Sequence, residues 1–116
     1  MAASIVRIET DDGRAVCERC VVADSFGRRF LGLMGRRELP PGDGMLFRPG
    51  GSVHMFFMRI PLDVVFCDRE LKVLGIAHDL QPWKVAGQRG AKISIELAAG
   101  EAAARGLAVG DRLREV

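Results

Sequence analysis

The stretch from Ser52 to Asp68, SVHMFFMRIPLDVVFCD, is the longest apolar segment of the chain, and it constrains the fold more than any other. Pro61 lies inside it. A proline has no N–H to give to a sheet ladder, so it cannot occupy the middle of a central strand. The stretch therefore reads as two strands, Val53 to Met58 and Leu62 to Cys67, divided at Pro61. No run in the chain approaches the roughly 20 apolar residues that a membrane helix needs.

The flanking sequence repeats this pattern of short apolar runs cut by turns. Ile5 to Glu9 and Arg14 to Ala23 read as a hairpin around Gly13, which supplies the positive φ that a tight turn demands. The period then changes: Phe26, Phe30, Leu33 and Met34 recur at spacings of three and four, predicting a helix over Phe26 to Met34 that stops at Gly35. Met45-Leu46-Phe47 is wholly apolar and expected to be buried on both faces. Asp68-Arg69-Glu70 turns into a strand over Leu71 to Ala77. Asp79 to Ala91 reads mainly as a loop anchored by Trp83. Ile93, Ile95 and Leu97 alternate with Lys92, Ser94 and Glu96, the pattern of a half-buried strand. Glu101 to Arg105 reads as a second short helix ended by Gly106, and Arg112 to Val116 as a last strand. The expected architecture is one α+β domain over residues 1–116, β-dominated: a small rolled sheet or barrel of short, mostly antiparallel strands with two short helices.

Composition narrows the function classes. Seventeen basic and fifteen acidic residues leave a formal charge of +2, with the arginines scattered along the chain, which argues against a phosphate-tracking nucleic-acid surface. The N-terminal MAASIVRIETDDGR has no signal-like apolar core, and three cysteines, an odd number, suit a reducing compartment. A cytoplasmic protein without membrane attachment is expected. Cys17-Glu18-Arg19-Cys20 has CxxC spacing, but on a regular strand its thiols point to opposite faces and only Cys67 remains as a further ligand, so structural cysteines are expected. No metal or cofactor is expected.

Several ordered segments carry a family likeness. Phe30-Leu31-Gly32-Leu33-Met34-Gly35-Arg36, Gly44-Met45-Leu46-Phe47, His54-Met55-Phe56-Phe57-Met58-Arg59, Pro61-Leu62-Asp63-Val64-Val65-Phe66, and Glu96-Leu97-Ala98-Ala99-Gly100 with Gly110-Asp111 resemble the motifs of the DUF192 family, across about Asp24 to Val116. The resemblance implies a compact, mostly β fold and brings no established reaction. Many members have Trp-Met-x-Asn-Thr before the Pro-Leu-Asp element; here Phe57-Met58-Arg59-Ile60 stands there without the Asn-Thr pair, and Arg59 is the polar residue on offer.

The candidate site follows from the polar residues set among apolar ones. On a strand, His54, Phe56 and Met58 share one face, with Asp63 arriving from the next strand. A buried carboxylate needs donors, either from a ligand pocket with Arg59, Arg28 or Arg36 nearby, or from backbone N–H groups after Pro61. The expected function is binding of a polar or anionic small molecule in a pocket beside strands 53–58 and 62–67, using Arg28, His54, Met58, Arg59 and Asp63. Two alternatives stand beside it. A hydrolase-type enzyme would use Asp63 and His54 as an acid–base pair. An accessory protein-interaction domain would show an exposed apolar patch around Trp83 and Pro82.

Overall fold

The computed structural model describes residues 4–23 and 33–116. Strands β1 (Ser4–Thr10) and β2 (Ala15–Ala23) form the first hairpin, closed at Gly13 with φ 89°. β3 (Asp43–Phe47) lies parallel to β2 and antiparallel to β8 (Ile93–Ala98). β5 (Leu62–Cys67) pairs antiparallel with β8 on one side and with β6 (Val73–Leu80) on the other. β9 (Leu113–Glu115) completes a seven-stranded sheet of order β6-β5-β8-β3-β2-β1-β9. A separate two-stranded ribbon joins β4 (Ser52–His54) to β7 (Val85–Gly87).

The large sheet curls into a half-barrel. Its outer strands approach at one end, where the Val73 N–H donates to the Asp111 carbonyl at 2.8 Å, Gly110 N–H to Val73 at 2.8 Å, and Leu113 N–H to Leu71 at 3.0 Å. Ile8, Cys20, Val65, Val73, Ile95, Leu97 and Leu113 meet inside the curl, drawn from strands at both ends of the sheet. Met45, Phe47, Leu62, Val64 and Phe66 face the opposite side, in a second apolar layer with Leu33, Leu39, Met55 and Met58. Burying each such side chain contributes about 1.5–3 kcal/mol. Every residue of β5 is buried, because the sheet is covered on both faces there.

The predominantly antiparallel β architecture agrees with the sequence expectation, and several details differ. Among the described residues there is one helix, Glu101–Ala104, held by an Arg105–Glu101 pair at 3.3 Å. The helix expected over Phe26 to Met34 lies outside the described residues except for Leu33 and Met34, which belong to a turn. The strand expected over Val53 to Met58 ends at His54. There the chain folds back: Met55 exchanges hydrogen bonds with Lys84 and Trp83, both at 2.7 Å, and Phe57 adopts φ 65°. Residues 79–91 are mainly loop, with β6 running to Leu80 and β7 following; Trp83 is no anchor but 58% exposed. Cys17 and Cys20 are both fully buried within the inner cluster. Their β1 partners are Ile8 and Val6, so three steps on β2 match two on β1; this bulge rephases the strand and turns both thiols to one face.

Candidate functional site

The fold-back after β4 builds a groove. Met34, Gly35, His54, Phe56, Phe57, Met58, Arg59 and Trp83 line a recess of about 740 Å³. Met58 is buried at its base, whereas Phe56, Phe57 and Trp83 are 40%, 66% and 58% exposed. The aromatic rings are organised against one another. His54 stacks on Phe56 at 4.8 Å, and Trp83 lies 5.9 Å from Phe56 and 5.0 Å from Phe57.

Backbone geometry holds these rings outward. Phe57 has φ 65° and Trp83 φ 70°, in the left-handed region that bulky L-residues avoid. Each position costs about 1–2 kcal/mol relative to an ordinary conformation. The Trp83 N–H is tied to the Met55 carbonyl at 2.7 Å and the Gly35 N–H to the Phe57 carbonyl at 3.2 Å, so the surrounding hydrogen bonds maintain the strain. The Phe56 N–H donates to His54 Nδ1 at 3.3 Å. That contact makes Nδ1 an acceptor and leaves the neutral ring's proton on Nε2.

The groove gathers three of the residues singled out from the sequence: His54, Met58 and Arg59. Arg28 lies outside the described residues. Asp63 is elsewhere. It is fully buried on the inner face of β5, where Oδ1 accepts the Asp79 N–H at 2.8 Å and Oδ2 accepts those of Gly100 at 3.0 Å and Ala102 at 2.9 Å. One carboxylate thus ties together the end of β6, the turn after β8 and the start of the helix. Asp63 does not line the groove with His54, so the geometry of an Asp63–His54 acid–base pair is not present there.

The half-buried pattern of residues 92–97 implies that Ser94 and Glu96 face solvent, and they do not. Ser94 and Glu96 sit on β8, which is hydrogen-bonded on both sides, and they are 0% and 7% exposed. Glu96 lies opposite Met45 on one side and Val64 on the other, and burial pushes its carboxyl pKa up to about 7. Among the described residues Ser94 Oγ has no hydrogen-bond partner. The signal that could have exposed them was the number of apolar runs available to cover a middle strand on both faces.

A curled β sheet with a grooved β-ribbon on one side defines the class of protein: a small half-barrel domain. The chain belongs to the DUF192 family (uncharacterized ACR, COG1430), which it matches over residues 7–115. A UPF0127 protein of Pyrococcus furiosus is 38% identical over 98 residues, covering 78% of this chain and 81% of that one. The crystal structure of a Sinorhizobium meliloti 1021 protein, described as a candidate transcription regulator, superposes with TM-score 0.84 at 30% identity, over 98% of this chain and 94% of that one. A protein of unknown function from Novosphingobium aromaticivorans gives TM-score 0.82 at 27% identity, over 97% and 84%.

Proposed function

We propose that this domain binds a small anionic molecule with a flat hydrocarbon face in the groove beside the β4–β7 ribbon. The observation that carries this reading is the coincidence of two costs at one place. Phe57 and Trp83 are held in strained backbone conformations, and the same two side chains are largely exposed. Strain of this kind persists where the surrounding structure imposes it, and it concentrates at ligand clamps. A stacked ligand would cover the rings and recover part of that cost.

Charge supports an anion. Arg59 lines the groove and makes no ion pair among the described residues, whereas Arg7, Arg14, Arg19, Arg48, Arg105 and Arg114 each pair with a carboxylate. No acidic residue lines the groove among the described residues. A guanidinium beside an apolar wall suits a carboxylate or phosphate on a ring-bearing molecule. His54 would supply a hydrogen-bond donor from Nε2, and Met58 the adaptable floor.

Trp83 is the chain's one tryptophan, so its fluorescence reads the groove directly. Titration with 1-naphthoate should quench or shift that emission saturably. Arg59→Gln should weaken binding about tenfold, the equivalent of one charge-assisted hydrogen bond. Phe57→Ala should weaken it comparably. Unsaturable quenching, or equal binding by naphthalene methanol and naphthoate, would refute the anion reading.

A further inference from the structure

His54 lines two recesses. The second, of about 520 Å³, lies on the β4–β7 ribbon and is formed with Ser52, Val53, Val85, Ala86 and Gly87; His54 alone is common to it and the groove. The register of the ribbon explains its shape. His54 faces Val85 and Ser52 faces Gly87, and alternation along the strands puts these two pairs on one face. Val53 and Ala86 turn the other way and pack on the second apolar layer. A bulky pair followed by a pair with almost no side chain leaves a step in the ribbon surface. Val85 walls that step and is 66% exposed. Phe56, Phe57, Trp83 and Val85 are four of the seven exposed large apolar side chains among the described residues, and all four line these two adjoining recesses.

Apolar side chains scattered singly over a surface are ordinary, whereas a contiguous set marks a binding face. We infer that the groove and the ribbon recess are one elongated site, and that the anion bound in the groove carries a short aliphatic tail lying past His54 on the ribbon. On the groove reading given above, which this extension requires, the ligand is an alkyl-substituted aromatic carboxylate: its charge meets Arg59, its ring stacks on Phe57 and Trp83, and its tail covers Val85. The division of chemistry along the site sets that order. Arg59 lines only the groove, and apart from His54 no ionisable side chain lines the ribbon recess among the described residues. From His54 to Ser52 the ribbon advances two residues, about 7 Å, which limits the tail to roughly five carbons.

A series of 1-naphthoates bearing an alkyl chain at the 4-position tests this, titrated into the full chain and followed by Trp83 fluorescence. From methyl to pentyl the Kd should fall about twofold per carbon, roughly half the free energy of a fully buried methylene because the recess is open to solvent. From hexyl to octyl it should level off. Val85→Thr exchanges one exposed methyl for a hydroxyl; it should cut the gain across the series by about half and leave the affinity for 1-naphthoate itself unchanged. Gly87→Val brings a Cβ 3.3 Å from that of Ser52, fills the step and should abolish the gain. Saturable 1-naphthoate binding with no dependence on tail length would overturn the elongated site and leave the groove reading standing, whereas no naphthoate binding at all would remove both. A gain that continues evenly to octyl, or that persists in both variants, would show unspecific partitioning of the tail and overturn the inference. So would a concentration-dependent dimer in sedimentation velocity that saturating 4-pentyl-1-naphthoate leaves intact, since the ribbon face would then belong to a second copy of this chain. The wild-type length series stands even if a variant fails to fold.

Discussion

Replacing Glu96 by Gln should make the protein's stability respond differently to pH, and the size of the change can be worked out. In the folded state burial raises the carboxyl pKa to about 7, against an ordinary 4.5. Between those values the unfolded chain has released the Glu96 proton while the folded chain retains it. The unfolded state then binds fewer protons, so this group makes stability fall as pH rises, and the loss levels off above about 7. A difference of about 2.5 pH units at 1.36 kcal/mol each amounts to roughly 3 kcal/mol. Glutamine preserves shape and removes the titration. The stability of Glu96→Gln relative to wild type should therefore improve by about 3 kcal/mol between pH 4.5 and pH 8. Urea unfolding followed by far-ultraviolet circular dichroism at several pH values measures this directly. The comparison cancels carboxylates common to both proteins, such as Glu18, which Arg105 holds below its usual range and which therefore loses its contribution only as pH falls through that lowered value. Parallel stability curves for the two proteins across pH 5 to 8 would show that Glu96 is not an uncompensated buried acid, and the reasoning would fail.

Other perturbations have equally definite outcomes. Asp63→Asn should destabilise by about 2–4 kcal/mol in urea unfolding without altering naphthoate affinity, because an amide cannot accept all three N–H bonds now made to the carboxylate; lost naphthoate binding in a folded variant would contradict the separation of Asp63 from the groove. Gly50→Ala would place a Cβ 2.5 Å from the Ser94 nitrogen and 2.7 Å from the Phe47 carbonyl oxygen, so backbone must move and at least about 2 kcal/mol should be lost. An alanine variant as stable as wild type would show that this approach is looser than described. Phe57→Gly relieves a left-handed φ and removes a groove wall. Its thermal midpoint should match or exceed that of wild type, by up to about 1 kcal/mol of stability, while naphthoate binding weakens about tenfold, as in Phe57→Ala.

Much of the sheet was legible because its cues are local. The all-apolar Met45-Leu46-Phe47 run is buried on both faces as its composition implies, and Gly13 turns the first hairpin as its position implies. The errors arose where a distant partner decides the outcome. Ile93 to Ala98 alternates like a half-exposed strand, but the apolar layer with Leu33, Leu39, Met55 and Met58 covers the face opposite the curl, and Ser94 and Glu96 are buried. The Cys17–Cys20 spacing misled for a related reason: a bulge against β1 changes the phase, and no local residue pattern announced it. His54, Met58 and Arg59 were found through their unusual setting, although a fold-back rather than a continuous strand assembles them. Trp83 is expected to anchor its loop; it is exposed instead, with its N–H held by the Met55 carbonyl.

The seam between the ends of the sheet has a bearing on biosynthesis. β9 hydrogen-bonds to β1, and the residues leading into it, with Leu113 itself, join residues 71–73 before and at the start of β6, so one late segment links an early strand with a middle one. During translation the half-barrel cannot close until residues 110–115 have left the ribosome. Until then β1 shows a free edge to any other nascent chain. Completion of the sheet therefore waits on the emergence of that segment, whatever the order in which the hairpins form.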